Sequence, residues 1–138
     1  MAIELTDEMR QRMANALTDG CPVVAASVDG EGLPTLAFYG STQVLSSDQL
    51  AIWVRDPNAG LLRRIGVNPN MAFMYRNGPD RVFWRFQGRA RLVDDPGVAA
   101  TVYEGAPEVE RNLDPDRLGR ALVIDIDRVA GRGFEMER

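Results

Sequence analysis

Hydrophobic and polar positions alternate in steps of two along much of this chain. The clearest case is residues 81–93, RVFWRFQGRARLV. Val82, Trp84, Phe86, Gly88, Ala90 and Leu92 fall on one face of a strand. Arg81, Phe83, Arg85, Gln87, Arg89, Arg91 and Val93 fall on the other. At ~3.3 Å per residue such a strand would reach about 40 Å if straight. Gly88 near its middle predicts a bend, which suits a sheet curling into a barrel.

The same reading predicts the other elements. Thr6 caps a first helix, with Asp7 and Glu8 in its positive first turn and Leu5, Met9, Met13, Ala16 and Leu17 on one stripe. Residues 21–28 form an apolar strand, and the turn Asp29-Gly30-Glu31-Gly32 leads into a longer strand over residues 33–45. A third strand covers residues 50–55 and a short helix residues 59–67, stopped by Asn68-Pro69-Asn70. Residues 71–76 make a fourth strand, and the turn Asn77-Gly78-Pro79-Asp80 precedes the long fifth one. Asp95-Pro96 opens a helix over residues 96–103, and residues 105–118 hold one or two more helical turns. Residues 121–127, ALVIDID, alternate as a sixth strand, and residues 131–136 offer a seventh. The expected fold is therefore mainly β, a barrel of six to seven mostly antiparallel strands with short flanking helices, in one domain over residues 1–138.

Composition narrows the chemistry. The 138 residues are 45% hydrophobic, enough for a proper core, and carry a net charge of −4. A mildly acidic surface argues against nucleic acid as a partner. No apolar run has the length of a membrane span, and no secretory signal is visible, so a cytoplasmic location away from the membrane is expected. Histidine is absent, which removes a Ser-His-Asp triad and a His-ligated zinc or haem from what these residues can build. The single Cys21 removes a structural zinc cluster and an internal disulfide, so no metal site is expected. All 16 basic residues are arginine, which removes a lysine Schiff base.

Two features could bind an anion. The outer face of the long strand carries Arg81, Arg85, Arg89 and Arg91 beside Phe83 and Gln87. It fits a solvated exterior, a ligand site or a subunit interface. The segment RDPNAGLLRR couples a strand end to a helix start, where free N–H groups and Arg55, Arg63 and Arg64 suit a phosphate; it also fits an ordinary capped helix. No glycine-rich nucleotide fingerprint is present, and no carboxylate pair is singled out for acid–base work, so no catalytic residue is assigned. The acids Glu104, Glu108 and Glu110 read as a solvated helix surface.

The order PVVAASVDGEGLPTLAFYGS, LAIWVRDP, a short helix ending in NPN, MAFMYR and VFWRFQGRARLV resembles the pyridoxamine 5'-phosphate oxidase-like group, from about residue 20 to the C-terminus. The resemblance implies an FMN-binding split β-barrel that works as a homodimer, with the flavin in a groove between subunits. By position, the group's flavin-contacting strand falls on Phe38, Tyr39, Gly40, Ser41, Thr42 and Gln43, and the next contacts on Trp53 and Val54. The group's Ser-Arg-Lys phosphate loop is replaced here by Asn58, Ala59 and Gly60, leaving Arg55, Arg63 and Arg64 as candidates for the phosphate. The oxidase's long-strand glutamine falls on Phe83, and its preceding Arg and Lys on Phe38 and Gln43, so pyridoxamine 5'-phosphate oxidation itself is not expected. Trp53 and Phe83 are expected to border the ring or the substrate.

The resemblance thus implies an FMN-dependent oxidoreductase acting on a small-molecule substrate or electron donor. The cofactor would perform the redox chemistry that this residue set lacks. Two alternatives stay open on sequence: a deazaflavin-dependent reductase of the same fold, and a non-enzymatic dimer that has lost cofactor binding.

Overall fold

Thr6 caps the first helix as its sequence predicts: its hydroxyl oxygen accepts the Met9 N–H at 3.1 Å. This helix, α1 (Asp7–Asn15), presents Met9 and Met13 to the core. The structure, a computed structural model, describes residues 2–138. The strands that follow are β1 (Val24–Val28), β2 (Pro34–Phe38), β3 (Gln43–Ser46) and β4 (Gln49–Val54). After α2 (Gly60–Val67) come β5 (Asn70–Asn77) and β6 (Val82–Val93). The chain ends with α3 (Pro96–Gly105), α4 (Glu108–Arg111), β7 (Arg120–Gly131) and β8 (Phe134–Glu137).

Eight strands form where six to seven are expected, and both differences have local causes. The single strand expected over residues 33–45 is two. The chain turns at Tyr39–Thr42, where the Tyr39 carbonyl accepts both the amide N–H and the hydroxyl of Thr42, at 3.2 and 2.7 Å. Gly40 is the only strong breaker at this turn, and an isolated glycine reads equally as a bulge within one strand. Near the C-terminus, β7 continues to Gly131 rather than ending at Asp127, because a β-bulge there shifts the alternation by one residue. Gln87 pairs with Arg128 and Gly88 with Ile126, which leaves Asp127 as the extra residue.

The strands form one antiparallel sheet in the order β2-β1-β5-β6-β7-β4-β3, and β8 also pairs with β7. Strand β7 is shared: one edge pairs along β6, and the other pairs first with β4 and then with β8. The main core takes side chains from every strand except β2, closed by α1 and α2. A smaller cluster, Ala51, Trp53, Val102, Tyr103 and Ala121, lies under α3 on the other face of β4. Strand β4 is therefore buried on both sides, as its run LAIWV suggests.

Strand β6 keeps the two predicted faces. Trp84, Phe86 and Ala90 are buried; Arg85, Gln87, Arg89 and Arg91 are exposed. Its close passage over β7 needs Gly88, where a Cβ would run into the Asp125 carbonyl oxygen. On the outer face Arg89 donates two hydrogen bonds to Asp127, at 2.9 and 3.0 Å, and Arg91 one to Asp125 at 2.9 Å. Such exposed pairs are screened by solvent and add little to stability. A fully buried large apolar side chain such as Phe86 contributes about 1.5–3 kcal/mol. The inner face of β6 therefore holds the fold, and the arginine face decorates it. Arg81 lies before the strand rather than in it, with a left-handed backbone at φ 56°.

Two glycine variants test this account by urea unfolding. Gly88→Ala is expected to cost about 3 kcal/mol, because the clash is with backbone that cannot step aside. Gly66→Ala on α2, where nothing lies within 4 Å of the added carbon, is expected to gain about 0.5 kcal/mol. A Gly88→Ala protein as stable as the parent would contradict the close passage.

The ion pairs set an acid limit. The hydrogen bond from Arg91 holds the Asp125 carboxyl below the usual carboxylate range against the opposing effect of burial, and Arg89 does the same for Asp127. A folded-state pKa below the unfolded value of about 3.9 adds stability that is present above that value. It is lost as pH falls through the lower folded value. The urea midpoint should hold above about pH 5 and decline toward about pH 3, and Asp125→Asn should reduce that decline. Equal slopes for both proteins would remove Asp125 from the acid response.

Candidate functional site

The turn that splits β2 from β3 builds one wall of a cleft. The end of β4 and the loop after it build the floor, and α4 closes the far side. The cleft measures about 260 Å³ and is lined by Phe38, Tyr39, Gly40, Ser41, Trp53, Val54, Arg55, Asp56, Ala59 and Glu110. Seven of the residues expected to bind a cofactor meet here: Phe38, Tyr39, Gly40, Ser41, Trp53, Val54 and Arg55.

The local chemistry divides these residues into backbone and side-chain contributors. Phe38 is 68% exposed at the end of β2 and forms an apolar rim. Tyr39 is half-buried; burial pushes its phenol pKa up, and the nearby Arg64 works against that. The Gly40 and Ser41 amides donate no hydrogen bond among the described residues, so they are free to meet a ligand. The Ser41 hydroxyl is not free. It donates to the Trp53 carbonyl and accepts the Trp53 N–H, both at 2.9 Å, and so carries the β3–β4 ladder one step further. Thr42 and Gln43 are buried beside the cleft; the Gln43 amide spans the Ser41 and Val102 carbonyls at 3.1 and 2.9 Å.

Trp53 gives the cleft its backbone rather than a ring platform. Its indole N–H donates to the Asp114 carboxylate at 2.9 Å, and its ring meets Tyr103 edge-on at 5.1 Å. Asp114 also accepts the Leu118 and Gly119 amides. Burial alone would raise this carboxyl. Hydrogen bonds from Trp53, Leu118 and Gly119, with the charge of Arg55, outweigh burial and hold it below the usual range. Asp114 therefore fixes the strand end beneath the cleft. Its role was not visible in the sequence, because 61 residues separate it from Trp53.

Glu110 corrects the expectation of a solvated helix surface. Its side chain is 13% exposed and pairs with Arg55 at 3.0 Å. A Cβ on Gly40 would collide with its carboxylate, so glycine makes room for it. Neither spacing nor pattern marks Glu110; only the return of α4 over β4 brings it in. The remaining arginines do not line the cleft. Arg63 donates to the Asn58 carbonyl at 3.0 Å, and Arg64 to the buried Ser27 hydroxyl at 2.7 Å. Phe83 lies elsewhere, in a hollow between the β5–β6 and β7–β8 turns.

A flavin fits this donor set in part. Apolar rims at Phe38 and Tyr39 and the free Gly40 and Ser41 amides suit a planar ring with polar edges. The phosphate end is less well served, because Arg55 is engaged by Glu110 and Asp56 adds a second negative charge.

No family model matches this sequence, and no curated protein is similar to it. Solved structures share its fold. One is described as a candidate pyridoxamine 5'-phosphate oxidase from Lactobacillus delbrueckii: 21% identity over 94% of this chain and 95% of that one, TM-score 0.68. An FMN-binding protein from Syntrophomonas wolfei aligns at 11% identity over 92% of this chain and 88% of that one, TM-score 0.70. HutZ, a heme storage protein from Vibrio cholerae, aligns at 16% identity over 97% of both chains, TM-score 0.64. The eight-stranded antiparallel sheet, its short helices and these alignments show that the chain has the fold of the pyridoxamine 5'-phosphate oxidase-like proteins.

Proposed function

We propose that this protein binds FMN in the cleft between the Tyr39–Thr42 turn and the end of β4, and serves as a flavin-dependent oxidoreductase. The observation that carries the reading is the convergence of Phe38–Ser41 and Trp53–Arg55 on one cleft with unpartnered amides. Bound there, flavin would supply hydride or electron transfer, which the histidine-free side chains lack. The chain's own part is to seat the ring on Gly40 and Ser41, border it with Phe38 and Tyr39, and offer Arg55 to the phosphate. Since the indole of Trp53 is committed to Asp114 and Tyr103, it holds the floor rather than stacking on the ring.

The working unit in this reading is a homodimer. Leu36 and Phe38 are 71% and 68% exposed on an edge strand, an apolar surface that a second chain would cover. Phe83 does not line the cleft of its own chain and has no part in seating the ring in this reading. Likeness to HutZ adds the fold alone; the histidine that most often ligates haem is absent here.

The test is the visible spectrum of the purified protein before and after FMN addition and desalting. Retained flavin absorbance supports the reading, and a colourless protein that releases all added FMN contradicts it. Glu110→Gln should free Arg55 and tighten FMN about tenfold, roughly 1.4 kcal/mol, while Arg55→Gln should weaken it by a similar factor. Replacing Ala59 and Gly60 by Arg and Lys should also tighten FMN if that loop meets the phosphate. Light scattering should give twice the chain mass, and Leu36→Glu should lower it.

A further inference from the structure

We infer that the hollow between the β5–β6 and β7–β8 turns is a second anion site, shaped for a small molecule carrying a phosphate group on an aromatic or apolar body. Three arginines line it, Arg76, Arg81 and Arg132, in a space of about 340 Å³. That volume lies in the range of small-molecule sites. No carboxylate lines the hollow, and none of the three guanidinium groups makes an ion pair or a side-chain hydrogen bond among the described residues. The one acid of the β5–β6 turn, Asp80, is already engaged by Arg12 at 2.9 Å and by the Asn77 amide at 3.3 Å. Elsewhere on this acidic protein, arginines such as Arg89 and Arg91 are neutralised by neighbouring carboxylates. Three unneutralised cations around one hollow repel each other, and an anion between them removes that repulsion.

The register explains the arrangement. Arg76 is the direct cross-strand partner of Phe83. On the other side β7 ends opposite Trp84 at Gly131, so Arg132 follows beside Phe83. Phe83 therefore lies between the backbone positions of Arg76 and Arg132, and all three line the hollow. Arg81 comes from the turn itself, with its N–H bonded to the Gly78 carbonyl at 3.1 Å and φ at 56°. Glycine or asparagine is the usual residue at such a position. An arginine there accepts backbone strain while placing a third cation at the hollow. Guanidinium groups suit phosphate oxygens because their paired N–H donors match them.

The site does not depend on the flavin cleft, since Arg55, Gly40 and Glu110 take no part in it. Calorimetric titration of the full-length protein at low salt, with inorganic phosphate, pyrophosphate and phenyl phosphate, tests it. Binding should weaken as salt rises, and Arg76→Gln with Arg132→Gln should lower affinity at least about tenfold. Arg81→Gly should also weaken binding while keeping or raising thermal stability, because glycine suits the left-handed backbone. Phe83→Ala should weaken phenyl phosphate and spare inorganic phosphate. Absence of binding by all three probes at millimolar concentration would overturn the proposal, as would equal affinity in the arginine variants. FMN retention should be unchanged in those variants. Its loss would merge the hollow with the flavin site and overturn a separate one.

Discussion

Between Gly88 and Asp125 the backbones of β6 and β7 approach so closely that a side chain cannot fit. That contact sits beside the bulge that leaves Asp127 unpaired in the ladder. Asp127 faces outward to meet Arg89, and the bulge shifts the residues after it so that β7 brings Val129, like Ile124 and Ile126, to the core. With β7 held on one edge by β6, its other edge is free to take β4 and β8 in succession. The position of β4, and hence of the cleft at its end, follows from this shared strand.

The cleft depends on polar groups that satisfy each other out of sight. Ser41 locks the Trp53 backbone, Asp114 holds the Trp53 indole, and the Tyr103 hydroxyl donates to the Asp114 carbonyl at 3.0 Å. Each buried donor or acceptor that lost its partner here would cost about 1–3 kcal/mol, so the network is bound to a single arrangement. It leaves the Gly40 and Ser41 amides without a partner, beside one arginine and the carboxylates of Asp56 and Glu110. Glu110 then decides the charge of that opening: paired with Arg55, it makes the cleft less receptive to a dianion than arginine content alone suggests.

Using arginine as its sole basic side chain, the protein places its cations in distinct roles. Arg89 and Arg91 tie the outer face of β6 to β7; Arg63 and Arg64 brace α2 to its own loop and to β1. Arg76, Arg81 and Arg132 gather without acidic partners. A uniform strip of arginine in the sequence therefore separates in three dimensions into structural and available charge.

Local pattern carries far. The cap at Thr6, the helix opened by Asp95-Pro96 and the two faces of β6 were all legible, because capping, proline geometry and strand pleat depend on neighbours in sequence. The positions of Phe38, Tyr39, Gly40, Ser41 and Trp53 in one cleft were legible through family resemblance. The turn at Tyr39–Thr42, the bulge at Asp127, and the entry of Glu110 and Asp114 were not. An isolated glycine such as Gly40 fits a bulge as well as a turn, and contacts between residues far apart in the chain have no signature in spacing. Sequence alone determined the two faces of β6 and most strand segments, because burial follows period, while the split of residues 33–45 and the full length of β7 came only with the fold. Only the tertiary structure decided which arginines are neutralised and which face open space, because pairing depends on where β7, α4 and the two turns bring carboxylates.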